Sequence, residues 1–176
     1  MRFLSILIMV SLAVTSAHAG PDATKTDTHI SPKTERPKAE NFRLKDLAGK
    51  THRLSDFKGK VVVVSFWATW CKPCKKELNN IAEVYDEWQE ETGVKIVAIS
   101  IDDTRSMSKV LPYVNASDWE YEVYLDSNSD LKRAMGVSTV PHTFLLNGKN
   151  EIVWQHQGYI DGDEEKLLEE IKKIAK

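Results

Sequence analysis

Apolar residues change their spacing several times along the chain, and each change marks an element. Positions 61–67 read Val-Val-Val-Val-Ser-Phe-Trp, the near-continuous run of a strand buried on both faces. Beyond it Leu78, Ile81, Tyr85 and Trp88 recur at spacings of three and four, the period of one apolar helix face. Glu83, Asp86, Glu87, Glu90 and Glu91 fill the other face, and Gly93 ends the helix. Residues 94–101 form a second buried strand. Residues 102–115 read as a helix that Pro112 interrupts near its end. A short strand follows at 121–125, then a short helix at 130–135 closed by Gly136. The strand 143–146 and its return at 151–157 flank Asn147-Gly148-Lys149-Asn150, a tight hairpin turn.

At the carboxyl end Leu167, Leu168, Ile171 and Ile174 make the stripe of a last helix. Asp161 reads as its N-cap, with Glu164 three residues on as in a capping box. Ahead of the first buried strand, Phe42 and Leu44 alternate, 46–50 reads as a turn, and 51–54 returns as a second strand. Strands alternating with helices, plus a hairpin at either end, predict an α/β domain with a mixed central sheet flanked by helices.

Residues 1–19 carry the pattern of a signal peptide: Arg2, an apolar stretch over 3–14, then Ala17-His18-Ala19 as a cleavage site. An uncleaved membrane anchor is the alternative, and either places the folded part outside the cytoplasm. Residues 20–39 are polar and proline-containing, a composition that stays flexible, so 20–39 is read as a linker and 40–176 as the domain.

The formal charge is -2 with no large basic block, which argues against nucleic acid as a partner. The chain has 2 cysteines, too few for a disulfide framework. His29, His52, His142 and His156 are scattered, whereas a structural zinc site needs four gathered ligands, so no metal is expected.

The two cysteines are the chemistry. Cys71 and Cys74 stand two residues apart where the first buried strand gives way to a helix. A thiolate at a helix start collects unpaired backbone N–H groups and the positive end of the dipole, which lowers its pKa from about 8.5. Cys71 is therefore the attacking thiol, and Cys74, one turn further in, the resolving one. Pro73 suits the first helical turn, and Lys72 adds a small favourable charge. Glu77, three residues after Cys74, shares its helix side and is the nearest acid able to take its proton; the competing view makes it a solvated surface glutamate. Ser65, on the incoming strand, offers only a hydroxyl.

The segments Phe42-Arg43-Leu44, Gly49-Lys50, Leu54-Ser55-Asp56, Phe66-Trp67-Ala68-Thr69-Trp70-Cys71-Lys72-Pro73-Cys74-Lys75-Lys76-Glu77, Val97-Ala98-Ile99-Ser100 and Val140-Pro141-His142-Thr143-Phe144-Leu145-Leu146 stand in this order. Together they resemble the TlpA/ResA-like family of extracytoplasmic thiol–disulfide oxidoreductases, over most of residues 41–176. The resemblance implies a thioredoxin-like fold with an N-terminal β-hairpin and a central insertion over about 103–125. It implies a cis Val140–Pro141 bond against the sulfurs, Trp70 on the substrate rim, and Glu77 in a reductase role. It leaves His142 open.

The function it implies is reduction of protein disulfides by the Cys71/Cys74 dithiol through a mixed disulfide. Apocytochrome c before haem attachment is one such client. A monomer is implied, recharged by a membrane-bound electron donor of the DsbD/CcdA type, with no cofactor beyond the redox disulfide. Other readings fit the same residues: a disulfide oxidase or isomerase, a peroxiredoxin-like peroxidase using Thr69 beside Cys71, and a Cu(I) chaperone using both thiolates and His142.

Overall fold

The computed structural model describes residues 42–175; the expected signal peptide (1–19) and linker (20–39) lie outside the described residues. The strands are β1 (Arg43–Asp46), β2 (Thr51–Arg53), β3 (Val62–Trp67), β4 (Lys95–Ser100), β5 (Glu122–Leu125), β6 (His142–Leu146) and β7 (Ile152–Gln157). The helices are α1 (Lys72–Thr92), α2 (Val110–Ala116), α3 (Asp130–Ala134) and α4 (Asp163–Ile174). All seven strands join one sheet in the order β2-β1-β5-β4-β3-β6-β7. β3, β4 and β5 run parallel, while β6 is antiparallel to β3 and β1 to β5, so the sheet is mixed.

β3 and β4 read as unbroken apolar runs because both sheet faces are covered. Successive side chains of a strand point to opposite faces. Val63, Trp67, Ile96 and Ala98 meet α1, α2 and α4 through Leu78, Ile81, Val110, Leu167 and Ile171. Val62, Val64, Phe66, Val97 and Ile99 meet Leu54, Phe57, Leu131 and Met135 on the other side. At the sheet edge β7 leaves Ile152 and Val153 exposed.

Three sequence expectations shift. The helix expected over 102–115 is only α2, preceded by a 3-10 turn at Met107–Lys109. Asp103 stops it starting earlier: its carboxylate accepts the N–H groups of Arg105 and Ser106, which holds a turn. Pro112 therefore lies in the first turn of α2, where its missing N–H breaks no helical bond, rather than at the end.

Asp161 does not cap α4. The cap is Gly162 at φ 92°, a backbone conformation natural to glycine. Asp161 instead meets Lys76 at 2.7 Å. Glu164 Oε2 accepts the Gly162 N–H at 3.1 Å and the Tyr159 hydroxyl at 2.7 Å. Leu54, expected at the end of the second strand, begins the 3-10 turn Leu54–Phe57 and is buried there.

β6 carries core on both faces, with Phe144 edge-on to Phe66 at 6.0 Å. Phe144→Ala is expected to lower unfolding free energy by about 3–5 kcal/mol, the usual cost of emptying a buried phenylalanine site. Urea denaturation of the oxidised protein measures it; a loss under about 1 kcal/mol would contradict this packing.

Candidate functional site

β3 ends at Trp67, and the chain turns through Ala68, Thr69 and Trp70 before α1 begins; the Cys71 N–H closes that turn on the Ala68 carbonyl at 3.0 Å. The turn is held from the side. Thr69 donates its backbone N–H to Asp102 Oδ2 at 2.8 Å and its hydroxyl to Oδ1 at 2.6 Å. Ser100 Oγ donates to the same carboxylate at 2.8 Å. Asp102 is fully buried, so the loop leading to the cysteines is fastened to the end of β4. Asp102 falls in the stretch read as helix; the available signal was an acid placed directly after a buried strand run.

Cys71 is the N-cap of α1, with extended backbone, and its Sγ accepts the Cys74 N–H at 3.3 Å. Pro73 occupies the first turn. Cys71 and Cys74 form a disulfide with Cα atoms 5.3 Å apart. Cys74 is 0% exposed and Cys71 5%, so a reacting sulfur from outside meets Cys71. In the dithiol form the same helix start stabilises negative charge at Cys71.

Glu77 lies one turn beyond Cys74 and is buried, which rules out the solvated-surface view. Thr143 Oγ1 donates to its Oε1 at 2.7 Å, and Ser65 Oγ to its Oε2 at 3.1 Å. Ser65 and Thr143 are directly paired across β3 and β6, so the sheet presents two hydroxyls to one carboxyl. Burial raises the Glu77 pKa to about 7, while the two hydroxyls pull it the other way. Spacing along the chain assigns no role to Thr143. Its signal, like that of Ser65, is a hydroxyl residue inside an otherwise apolar strand.

The Val140–Pro141 bond is cis. The pairing of Phe66 with His142 sets Pro141 beside the carboxyl end of β3, where the cysteine loop departs. Pro141 is buried, Val140 half-buried. His142 turns the other way: it stacks on Phe144 at 4.2 Å in the core across the sheet from α1, and burial lowers its pKa. A copper site made of the two sulfurs and His142 has no support in this arrangement. The Thr69 hydroxyl that a peroxidase would place at Cys71 is bound to Asp102. Trp67 is core, edge-on to Trp119 at 4.9 Å, whereas Trp70 is 63% exposed beside Cys71. Among the described residues no three His, Cys, Asp or Glu side chains gather as a metal site.

A C-x-x-C disulfide at the start of the helix after a central strand, with a cis-proline strand alongside, defines the thioredoxin-like class of thiol–disulfide exchange proteins. Residues 36–155 match the model of the AhpC/TSA family. The thiol-disulfide oxidoreductase ResA of Bacillus thuringiensis subsp. konkukian is 36% identical over 137 residues, 78% of this chain and 76% of that one. A solved thioredoxin-like protein from Porphyromonas gingivalis is 45% identical with a TM-score of 0.67, covering 76% of this chain and 88% of that one. A structure described as the thiol:disulfide interchange protein DsbE from Chlorobium tepidum is 27% identical with a TM-score of 0.71, covering 79% and 96%. The chain belongs to the AhpC/TSA family and, within it, to the ResA-like thiol–disulfide oxidoreductases.

The buried carboxyl sets a pH dependence. Its folded pKa of about 7 lies above the ordinary glutamate value of 4.5, so the folded state holds this proton more tightly than the unfolded chain. Stability attributable to Glu77 is therefore full below pH 4.5, declines as pH rises to about 7, and levels off above. Relative to Glu77→Gln, the oxidised wild-type protein is expected to lose about 3 kcal/mol across that window. Parallel denaturation curves at pH 4.5 and 8 measure it; parallel pH profiles for the two proteins would contradict it.

Proposed function

We propose that this oxidoreductase is a reductase of protein disulfides that works outside the cytoplasm. The observation that carries the direction is Glu77, a carboxyl buried one turn from the resolving thiol and raised to about pH 7. Negative charge there disfavours thiolate in the reduced pair, and destabilising the reduced form makes a dithiol more reducing. The signal-like residues 1–19 support the location.

The Cys71 thiolate attacks one sulfur of the client disulfide. A Cys71–client bond forms, the client bond breaks, and the departing thiolate takes the electron pair and then a proton. Cys74 is sealed from water, so Glu77 takes its proton. The new thiolate attacks Cys71 Sγ, the Cys71–Cys74 bond closes, and the second client thiolate leaves. The client is reduced by two electrons and the enzyme oxidised to the disulfide form seen here. A carboxyl with a pKa near 7 serves both as acceptor and as the later proton donor. Ser65 and Thr143 hold it through the change by donating to it.

In this reading Trp70 and Val140–Pro141 border the incoming client, the disulfide is the only redox group, and the protein acts as a monomer. A membrane-bound donor of the DsbD/CcdA type returns the electrons. Disulfides such as those of apocytochrome c before haem attachment are clients of the kind this reading implies, a role in cytochrome c maturation.

Equilibration with a dithiol buffer is expected to give a potential near the thioredoxin value of about -270 mV; a value near the DsbA value of about -120 mV would overturn the direction. Cys74→Ser is expected to accumulate mixed disulfides through Cys71 in a periplasmic extract, and their absence would count against Cys71 as the attacking thiol. Glu77→Gln is expected to slow closure of the second disulfide about a hundredfold, within the range of a lost general base. Stopped-flow tryptophan fluorescence against pH reads that step, and the inflection near pH 7 should vanish; an unaltered profile would remove Glu77 from the proton path.

A further inference from the structure

Beside Trp70 the surface opens into a trough of about 470 Å³, within the range of sites that take small groups. Its floor and walls come from the loop after β4 and from the start of α3: Asp103, Arg105, Lys109, Ser129 and Lys132 line it with Trp70. Three of these are cationic and one anionic, in a chain whose formal charge is -2. The single acid is already answered, since Arg105 holds Asp103 Oδ2 through Nε at 3.1 Å and Nη2 at 2.9 Å. The neighbouring acids face elsewhere. Asp130 pairs with Arg133, and the Asp126 carboxylate accepts backbone N–H groups of α3, including that of Lys132 at 2.8 Å, without using its ammonium group. Lys109 and Lys132 are left to set the potential of the trough.

Trp70 is adjacent in the chain to Cys71, and its ring is mostly exposed. Trp70 both neighbours Cys71 and lines the trough, so a segment joined to Cys71 that leaves on the Trp70 side, at about 3.3–3.6 Å per extended residue, carries its next side chains toward the trough.

We infer that the trough is a docking groove for client protein segments that carry a carboxylate side chain beside the target cysteine. It selects clients by charge, with Lys109 and Lys132 as the specificity residues and Trp70 as the apolar wall. This rests on Cys71 as the attacking thiol but not on the direction of electron flow. Complementary charge at such a rim acts chiefly on the association rate and is screened by salt.

The test uses reduced Cys74→Ser protein and three peptides that share one disulfide leaving group and differ only in Glu, Gln or Lys beside the cysteine. The readout is the second-order rate at which Cys71 forms the mixed disulfide. The Glu peptide is expected to react about tenfold faster than the Lys peptide at low ionic strength, with the ratio falling toward one at about 0.5 M salt. Lys109→Glu with Lys132→Glu should invert the order, and Lys109→Gln with Lys132→Gln should bring the ratio near one.

Equal rates for all peptides, or a preference that survives both double variants, would overturn the groove while leaving the reductase reading intact. Inorganic phosphate binding to the peptide-free protein that is lost in Lys109→Gln with Lys132→Gln, together with equal rates for the three peptides, would assign the trough to a small anion and overturn the client reading. Failure of Cys71 to attack any peptide would sink both, whereas an oxidising potential with the preference intact would sink the direction alone.

Discussion

A carboxyl group with no cation beside it among the described residues sits on the buried face of the helix that carries the disulfide, and much of the site's construction answers to that placement. Burying Glu77 is tolerable only with donors to satisfy it and a pKa near 7 that lets it stand neutral. The donors come from two strands that are far apart in the chain, Ser65 on β3 and Thr143 on β6. They meet because those strands pair in one register. A slip of β6 by one residue against β3 would turn Thr143 to the opposite face and bring phenylalanine or histidine under the carboxyl in its place. The same register sets Pro141 at the end of β3. Sheet pairing, proton acceptor and cis-proline placement are thus parts of one arrangement.

A second buried carboxylate secures the other approach to the cysteines. Asp102 receives Thr69 and Ser100, so the loop before Cys71 is fixed to β4 as α1 is fixed to β3 and β6. The two acids hold different things. Asp102 accepts three short bonds and positions backbone, whereas Glu77 accepts two and is left with a proton affinity suited to exchange. Between them Cys71 stands at the surface end of a helix and Cys74 behind it. That asymmetry gives the pair an order of reaction.

How far these features were legible depends on their range. The apolar runs of β3 and β4 and the stripe of α1 express burial that each segment carries in its own spacing, and the structure places those elements within a residue or two of their expected ends. The C-x-x-C pair at a strand–helix junction was legible for the same reason. Expectations failed where a polar side chain had a choice of partners. Asp161 had capping potential but met Lys76, and Gly162 took the cap. Asp103 bound its own following backbone and kept α2 short, which moved Pro112 from the end of a helix to its beginning. Glu77 gave no local sign of burial, because its flanking lysines fit an exposed helix face equally well.

By itself the sequence determined the order of the elements, the alternation that makes the sheet two-sided, and the place of the two thiols at a helix start. These follow from local spacing and from the backbone geometry of strands and helices. Only the tertiary structure decided that Glu77 is enclosed, that Ser65 and Thr143 share it, that His142 faces away from the sulfurs, and that Lys109 and Lys132 lie with Trp70 along one trough. Each of those facts joins residues distant in sequence. Strand register, sheet face and competition among hydrogen-bond partners set them, and none of these is written in the spacing of any one segment.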